Sequence, residues 1–311
     1  MGGSGSRVGN GVTGRPRLEG PFRRFGVVYR EHTPDVLAIV ERLRVWCQNE
    51  DIDVVVEKDA GRDPDTRLDV ASDPVDLVVA LGGDGTFLRA SRLVVGTTTP
   101  VLGVNLGRLG FLTAIPDSAL EAGLTEIVAG RGIIDSRFRL RAVIQSEGEV
   151  NSDDFFALND IVVHTTGAAR VTALTLQVGD SADLEEVGSF GADGVIVSTP
   201  TGSTAYSMSA GGPIIGPDVE AIVVTPICPH SLAVRPLVLP ATETISIGSL
   251  DPAGEHQVTV DGQVVHELRP GDRVVVGGEA DPLSLIRLPG QTFFNTMRRK
   301  LNWAIRPPER A

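Results

Sequence analysis

The sequence predicts an α/β domain followed by an all-β domain. Two textures carry this. Over about residues 22–132, apolar runs with almost no polar alternation take turns with stretches of helical period, as in a parallel sheet covered on both faces. Over about 133–290, many short β-like runs are separated by Gly, Pro, Asp and Asn turns, as in a sandwich. A chain of 311 residues accommodates both, at roughly 150 residues per domain. The expected architecture is an N-terminal three-layer α/β domain with a parallel sheet, then a C-terminal β-sandwich-like domain. Residues 1–21 are expected as a disordered leader and 291–311 as a segment packing back on the N-terminal domain.

The first twenty residues, "MGGSGSRVGNGVTGRPRLEG", are rich in Gly, Ser and Arg and lack the hydrophobic centre of a secretory signal. "FGVVYR" reads as a buried strand. In "TPDVLAIVERLRVWCQNE", Val36, Ile39, Val40, Leu43 and Trp46 share one helical face, with Thr33 placed to cap it and Pro34 in its first turn. "DIDVVVEK" and "VDLVVAL" are further strands on either side of a polar, turn-rich loop. "FLRASRLVV" is a short helix, "PVLGVNL" a strand, and "PDSALEAGLTEIVAG" a capped amphipathic helix. In the second domain the β-like runs extend from "FRLRAVIQS" to "PLSLIRL", interrupted by one helical candidate, "GSTAYSMSAGG". "FFNTMRRKLNW" returns to a helical pattern.

Composition narrows the function. A net charge of −12 argues against a general nucleic-acid-binding surface, which shows as a basic patch. Any phosphate site must therefore be built locally, from backbone N–H groups, a few arginines or a metal ion. No apolar run is long enough for a membrane span of about 18 residues, so no membrane partner is expected and the cytoplasm is the expected compartment. Cys47 and Cys228 stand far apart and read as two reduced thiols. The five histidines show no metal spacing, and no metal ligand is assigned. Lysine is confined to Lys58 and Lys300, while arginine carries nearly all the positive charge; salt adaptation and a GC-rich coding sequence both account for that.

Four segments carry candidate chemistry. In "LVVALGGDGTFLRAS" a buried strand ends in Gly82-Gly83-Asp84-Gly85-Thr86 and a helix follows. Glycines let backbone N–H groups approach an anion, and a helix N-terminus adds partial positive charge. This is neither a Walker A loop nor the Rossmann glycine pattern, and both lysines lie elsewhere, so no loop lysine is expected. From these five residues alone, Asp84 as a helix cap and Asp84 as a reagent stand level. "GVNLGRLGF" allows a second tight turn at Gly107 and Gly110, where Arg108 either meets a phosphate or is solvated. In "ALNDIVVH", Asn159 and Asp160 precede an apolar run; such a pair can read a ribose or purine edge, or simply make a turn. "GADGVIVSTPTGSTAYSMSAGGPI" converges hydroxyls, a glycine and a helix start, a density that favours a polar ligand over capping alone.

Taken in order, the glycine-aspartate turn, "NLGRLGFL", "LNDIVVH", "DGVIVSTPTGSTAYSMSAGGPI", "PHSLAVRPLV" and "FFNTMRRKLNW" resemble the NAD kinase family over about residues 25–305. The fourth segment is the most specific; the glycine-aspartate turn is shared with lipid kinases and phosphofructokinases. The resemblance implies Mg²⁺-dependent phosphoryl transfer from ATP or polyphosphate to the 2′-hydroxyl of the adenosine ribose of NAD, giving NADP. It makes Asp84 the catalytic base and Gly83, Gly85, Thr86, Arg89, Asn105 and Arg108 parts of the nucleotide site. It assigns Asn159, Asp160, Arg170, Asp193, Gln263 and the run Thr204, Ala205, Tyr206, Ser207, Met208 and Ser209 to the dinucleotide. It also implies a homodimer or homotetramer. Gly191 stands where some members carry a basic residue. Two other classes fit the turn alone: a related kinase acting on a lipid or sugar, against which the hydroxyl-rich loop argues, and a non-catalytic NAD(P)-binding sensor, against which the intact turn argues.

Overall fold

In a computed structural model, residues 7–10, 15–30, 33–57, 68–107, 110–146, 149–150, 154–166, 172–180, 183–251 and 254–303 are described. The chain divides into two units, residues 1–136 with 283–311, and residues 137–282.

In the first unit, four parallel strands, Asp53–Val56, Arg24–Tyr29, Leu77–Gly82 and Val101–Asn105, lie side by side in that order. The unbroken apolar runs read from the sequence are these strands; every residue of Leu77–Gly82 and Val101–Asn105 is buried. Helices cover both faces. On one, α1 (Val36–Asn49) buries Val36, Ile39, Val40, Leu43 and Cys47 in a core with Leu77, Val79, Leu81, Leu102 and Val104. On the other, α2 (Asp84–Leu93) lays Phe87 where a side chain on Gly103 would project. The helix α3 (Leu120–Glu126) adds Leu120 and Leu124 to the α1 side.

Several local expectations shift. The helix α1 begins at Val36 with Asp35 as its N-cap residue; Thr33 and Pro34 belong to the turn before it, where Val36 N–H donates to the Thr33 carbonyl. No side chain caps α3, which continues from a short 3₁₀ turn, Asp117–Ala119. The leader expected to be disordered to residue 21 contains the strand Pro16–Glu19, paired with Arg7–Asn10 and, at Arg17, with Ile133. Leu18 is 1% exposed there and joins the first core. Residues 1–6 and 11–14 lie outside the described residues.

The second unit is a sandwich. One sheet orders six antiparallel strands: Leu237–Pro240, Ala221–Ile227, Gly194–Ser198, Asp160–Thr165, His256–Val260 and Val264–Leu268. The other includes Asp183–Ala192, Thr172–Asp180 and Thr244–Ser249, which pairs with the first part of Arg273–Arg287. Alternate residues of both sheets meet in one core: Ile161, Val163, Val195, Val197, Ile222 and Val224 from the first, Leu174, Leu176, Ile245, Ile247, Val274 and Val276 from the second. The interrupting helix shrinks to a 3₁₀ turn, Gly202–Thr204, and the single-turn helix α4 (Tyr206–Ser209). The second unit ends at Pro282, earlier than residue 290, because Leu283–Arg287 continues the long strand into the parallel sheet, where Leu285 pairs with Val101. The last helix, α5 (Phe293–Leu301), belongs to the first unit.

Candidate functional site

The glycine turn sits where the central parallel strand stops. Thr86 folds its side chain over Gly82, in space that a Cβ on Gly82 would occupy. Gly83 is the extended N-cap of α2, with open space where a side chain would stand, and its carbonyl accepts the N–H groups of Thr86 and Phe87 at 3.1 Å each. Asp84 is the first residue of α2, one position beyond the cap. Its carboxylate reaches across to the next loop: Phe111 N–H donates to Oδ2 and Leu112 N–H to Oδ1, both at 3.0 Å. Lys300 Nζ, from α5, donates to Oδ2 at 3.2 Å and stands 4.6 Å from the centre of the Phe111 ring. The turn itself carries no lysine, as read from the sequence, and the fold brings Lys300 to its carboxylate from the far end of the chain.

The other nucleotide candidates of this unit brace the turn. Asn105 shapes its own loop, donating to the Gly107 carbonyl at 2.8 Å and accepting Gly107 N–H at 3.2 Å, while Leu106 N–H donates to the Gly82 carbonyl at 3.0 Å. Arg89 is ion-paired with the buried Glu57 at 2.7 Å and donates to the Tyr29 carbonyl at 2.8 Å, tying α2 to the ends of two neighbouring strands. Arg108 and, in the second unit, Arg170 lie outside the described residues.

The second unit builds a separate polar cluster around Asp261, which the sequence reading passed over. Asp261 occupies a left-handed turn position, φ 49°, where Asp and Asn are tolerated. Its carboxylate gathers three consecutive amides: Leu158 N–H at 3.1 Å, Asn159 N–H at 2.7 Å and Asp160 N–H at 3.2 Å. Its own N–H donates to the Asp160 carbonyl at 2.9 Å. The signal available in the sequence was the Asp-Gly pair between two alternating runs in "HQVTVDGQVVHEL", a hairpin turn. Asn159 is held from the other side too: Thr199 N–H donates to its carbonyl at 2.9 Å, and Gly202 approaches that carbonyl so closely that no Cβ would fit.

Asp160 is 5% exposed, and its carboxyl is pushed up to about 7, chiefly because burial disfavours the charge and further because the Asp261 carboxylate lies near; the Tyr206 backbone N–H opposes the rise. The hydroxyls that suggested a ligand turn largely inward. Ser203 Oγ donates to the Pro200 carbonyl at 2.7 Å and accepts Ile215 N–H at 2.9 Å, Thr199 Oγ1 donates to the Leu158 carbonyl at 2.6 Å, and Ser207 Oγ pairs with Thr225 Oγ1 at 2.8 Å. They set the loop's shape and leave Tyr206, 46% exposed, and Ser209 facing outward. Asp193 lies at the bend between two strands, its N–H donating to the Ile227 carbonyl at 2.9 Å, and Gln263 follows Asp261 on an exposed turn. His164, half-buried, is hydrogen-bonded to Thr259 and to the Thr165 carbonyl.

A carboxylate clamped at the mouth of a glycine turn, at the start of a helix, can serve as a base beside a bound phosphate, an arrangement that suits a phosphotransferase with an alcohol acceptor. Two domain profiles narrow this further: the ATP-NAD kinase N-terminal domain matches residues 25–132 and the ATP-NAD kinase C-terminal domain residues 158–288. The NAD kinase of Gemmatimonas aurantiaca is 45% identical over 74% of this chain and 78% of its own length, and that of Heliobacterium modesticaldum 39% identical over 89% and 97%. Among solved structures, yeast NADH kinase complexed with NADH superposes with a TM-score of 0.86 at 26% identity, covering 99% of this chain and 95% of that one. An NAD kinase from Archaeoglobus fulgidus in complex with ATP gives 0.70 at 25% identity, covering 90% and 98%. This chain belongs to the NAD kinase family.

Proposed function

We propose that this chain transfers the terminal phosphoryl group of Mg-ATP to the 2′-hydroxyl of the adenosine ribose of NAD, with Asp84 as the base. The bond from the terminal phosphorus to the bridging oxygen of ADP breaks as the bond to the ribose 2′-oxygen forms, and the hydroxyl proton passes to Asp84 and then to water. A ribose hydroxyl is a weak nucleophile at neutral pH, and base assistance of this kind is worth a factor of about 10²–10⁴. The observation that carries the reading is the clamp on Asp84: two amide donors at 3.0 Å hold both carboxylate oxygens in place. The turn's open backbone at Gly83, with Gly85 and Thr86 at the start of α2, supports donor phosphate binding there.

Among the described residues, no three His, Cys, Asp or Glu side chains gather as cation ligands. Magnesium is read as part of the donor substrate, because a hard cation prefers phosphate oxygens and keeps several waters. Asn159, Asp160, Asp193, Tyr206 and Gln263 are read as dinucleotide contacts, with Asn159 and Asp160 fixed for that purpose by Asp261. Arg89 and Asn105 are read as braces of the glycine turn.

The proposed assembly is a homodimer or homotetramer. Light scattering on the purified chain reads the mass. The proposed compartment is the cytoplasm, where NAD and ATP meet. The decisive experiment is Asp84→Asn in a coupled NADP-formation assay with Mg-ATP. NADP formation falls by about 10²–10⁴ while thermal unfolding stays within a few degrees of the parent; near-normal turnover would remove Asp84 from the base role.

A further inference from the structure

We propose that Lys300 is a positioning residue for the phosphoryl-transfer step, holding Asp84 through a direct ammonium–carboxylate contact; this rests on Asp84 being the base. Asp84 Oδ2 has two donors with separate origins, the Phe111 amide at 3.0 Å and Lys300 Nζ at 3.2 Å, while Oδ1 takes the Leu112 amide. The two amides fix the plane of the carboxyl group from one loop. The ammonium sets the remaining direction and, among the described residues, is the cationic side chain that contacts this carboxylate, in a chain of net charge −12.

The placement of Lys300 follows from α5. Phe293, Met297 and Lys300 stand at i, i+4 and i+7, on one helical face. Met297 is buried, and the Phe293 ring lies 6.3 Å from the Phe111 ring. The face that docks the helix is therefore the face that carries the lysine, and Phe111 is shared: its ring receives Phe293 and the ammonium, its N–H receives Asp84. Neighbouring Arg298 turns to Asn295, so it does not duplicate the contact. The helix is held independently of Lys300 by Met297, by the Phe293 contact and by the Thr292 cap on Asn295 N–H. The side chains of Lys300 and Asp84 are 34% and 29% exposed, so the pair contributes little to folding. Its consequence lies in the aim of the carboxylate, where a displacement of 1 Å can cost about 10²-fold in rate.

The test compares full-length parent, Lys300→Met and Lys300→Arg, with Asp84→Asn alongside, reading kcat, KM for NAD, NAD-binding stoichiometry and Tm. For Lys300→Met the expectation is a fall in kcat of roughly 10- to 100-fold, with KM within about twofold, and binding stoichiometry and Tm unchanged. Lys300→Arg, which keeps a charge and donors, restores most of kcat. If Asp84→Asn is inactive while Lys300→Met keeps parental kcat, this inference fails and the base reading stands. A loss in Lys300→Met that follows Tm or stoichiometry, or one that arginine does not recover in a folded protein, overturns it equally. If Asp84→Asn remains active, the base reading itself fails.

Discussion

Gly110 and Asp84 are interlocked: a Cβ on residue 110 would overlap Asp84 Oδ1, the oxygen that accepts Leu112 N–H. The carboxylate occupies the space that a missing side chain leaves open. Gly110→Ala therefore acts on Asp84 more than on the fold, because the end of the Asp84 side chain can rotate away while the surrounding backbone cannot. We expect kcat for NADP formation to fall by about 10²-fold, the cost of moving a reacting group by 1 Å or so. Urea unfolding should show a loss of about 1–3 kcal/mol, because the Leu112 amide gives up its acceptor. A variant with normal turnover would show that the aim of Asp84 does not matter.

Asp261→Asn should destabilise the second unit. A carboxylate offers acceptor lone pairs on both oxygens, and here they take the amides of Leu158, Asn159 and Asp160. An asparagine tolerates the positive φ but keeps one acceptor oxygen and turns an NH₂ toward at least one of those donors. Leaving a buried amide without its acceptor costs about 1–3 kcal/mol, which denaturant unfolding would read. Since the same amides fix Asn159 and Asp160, affinity for NAD should drop alongside stability, by about tenfold for each 1.4 kcal/mol of binding free energy lost. Unchanged NAD binding in a destabilised protein would separate the two effects.

The raised Asp160 carboxyl, at about 7, has a consequence for stability against pH. An aspartate in the unfolded chain ionises near 3.9, so between roughly pH 4 and 7 the folded protein holds a proton that the unfolded chain has released. The folded state binds more protons, and stability falls as pH rises through that window. The whole fall corresponds to about 4 kcal/mol as an upper bound. Among the described residues, the groups that act on Asp160 are the Asp261 carboxylate and the Tyr206 N–H. Asp160→Asn carries no charge at any pH, so it should flatten the slope of stability between pH 4 and 7 and exceed the parent at pH 8. Parallel pH–stability curves for parent and variant would contradict the assignment.

Much of this fold could be read before any coordinate. Strands buried on both faces leave continuous apolar runs, and that is how Phe25–Arg30 and Val75–Leu81 announced a parallel sheet; short alternating runs announced the sandwich in the same way. Local capping was less legible. Thr33 has the residue type of a helix cap, yet the chain starts α1 three residues later, with Asp35 left-handed. The "TPTGSTAYS" loop was legible as chemistry but not as geometry. Ser203 and Ser207 bond within the second unit, because buried hydroxyls must find partners and the nearest ones were in the loop and the adjoining strand.

The sequence by itself determined the resemblance to the family, the two domain textures and the presence of a carboxylate in the glycine turn, since each is written in local residue pattern. Tertiary structure decided who that carboxylate's neighbours are. Leu18 becomes core only once Pro16–Glu19 finds Ile133, Leu283–Arg287 joins the first unit only by pairing beside Val101, and Lys300 meets Asp84 across 216 positions. Contacts at such separation follow from the packing of whole faces, here Phe293 and Met297 of α5, and no pattern within a helix or a turn encodes them.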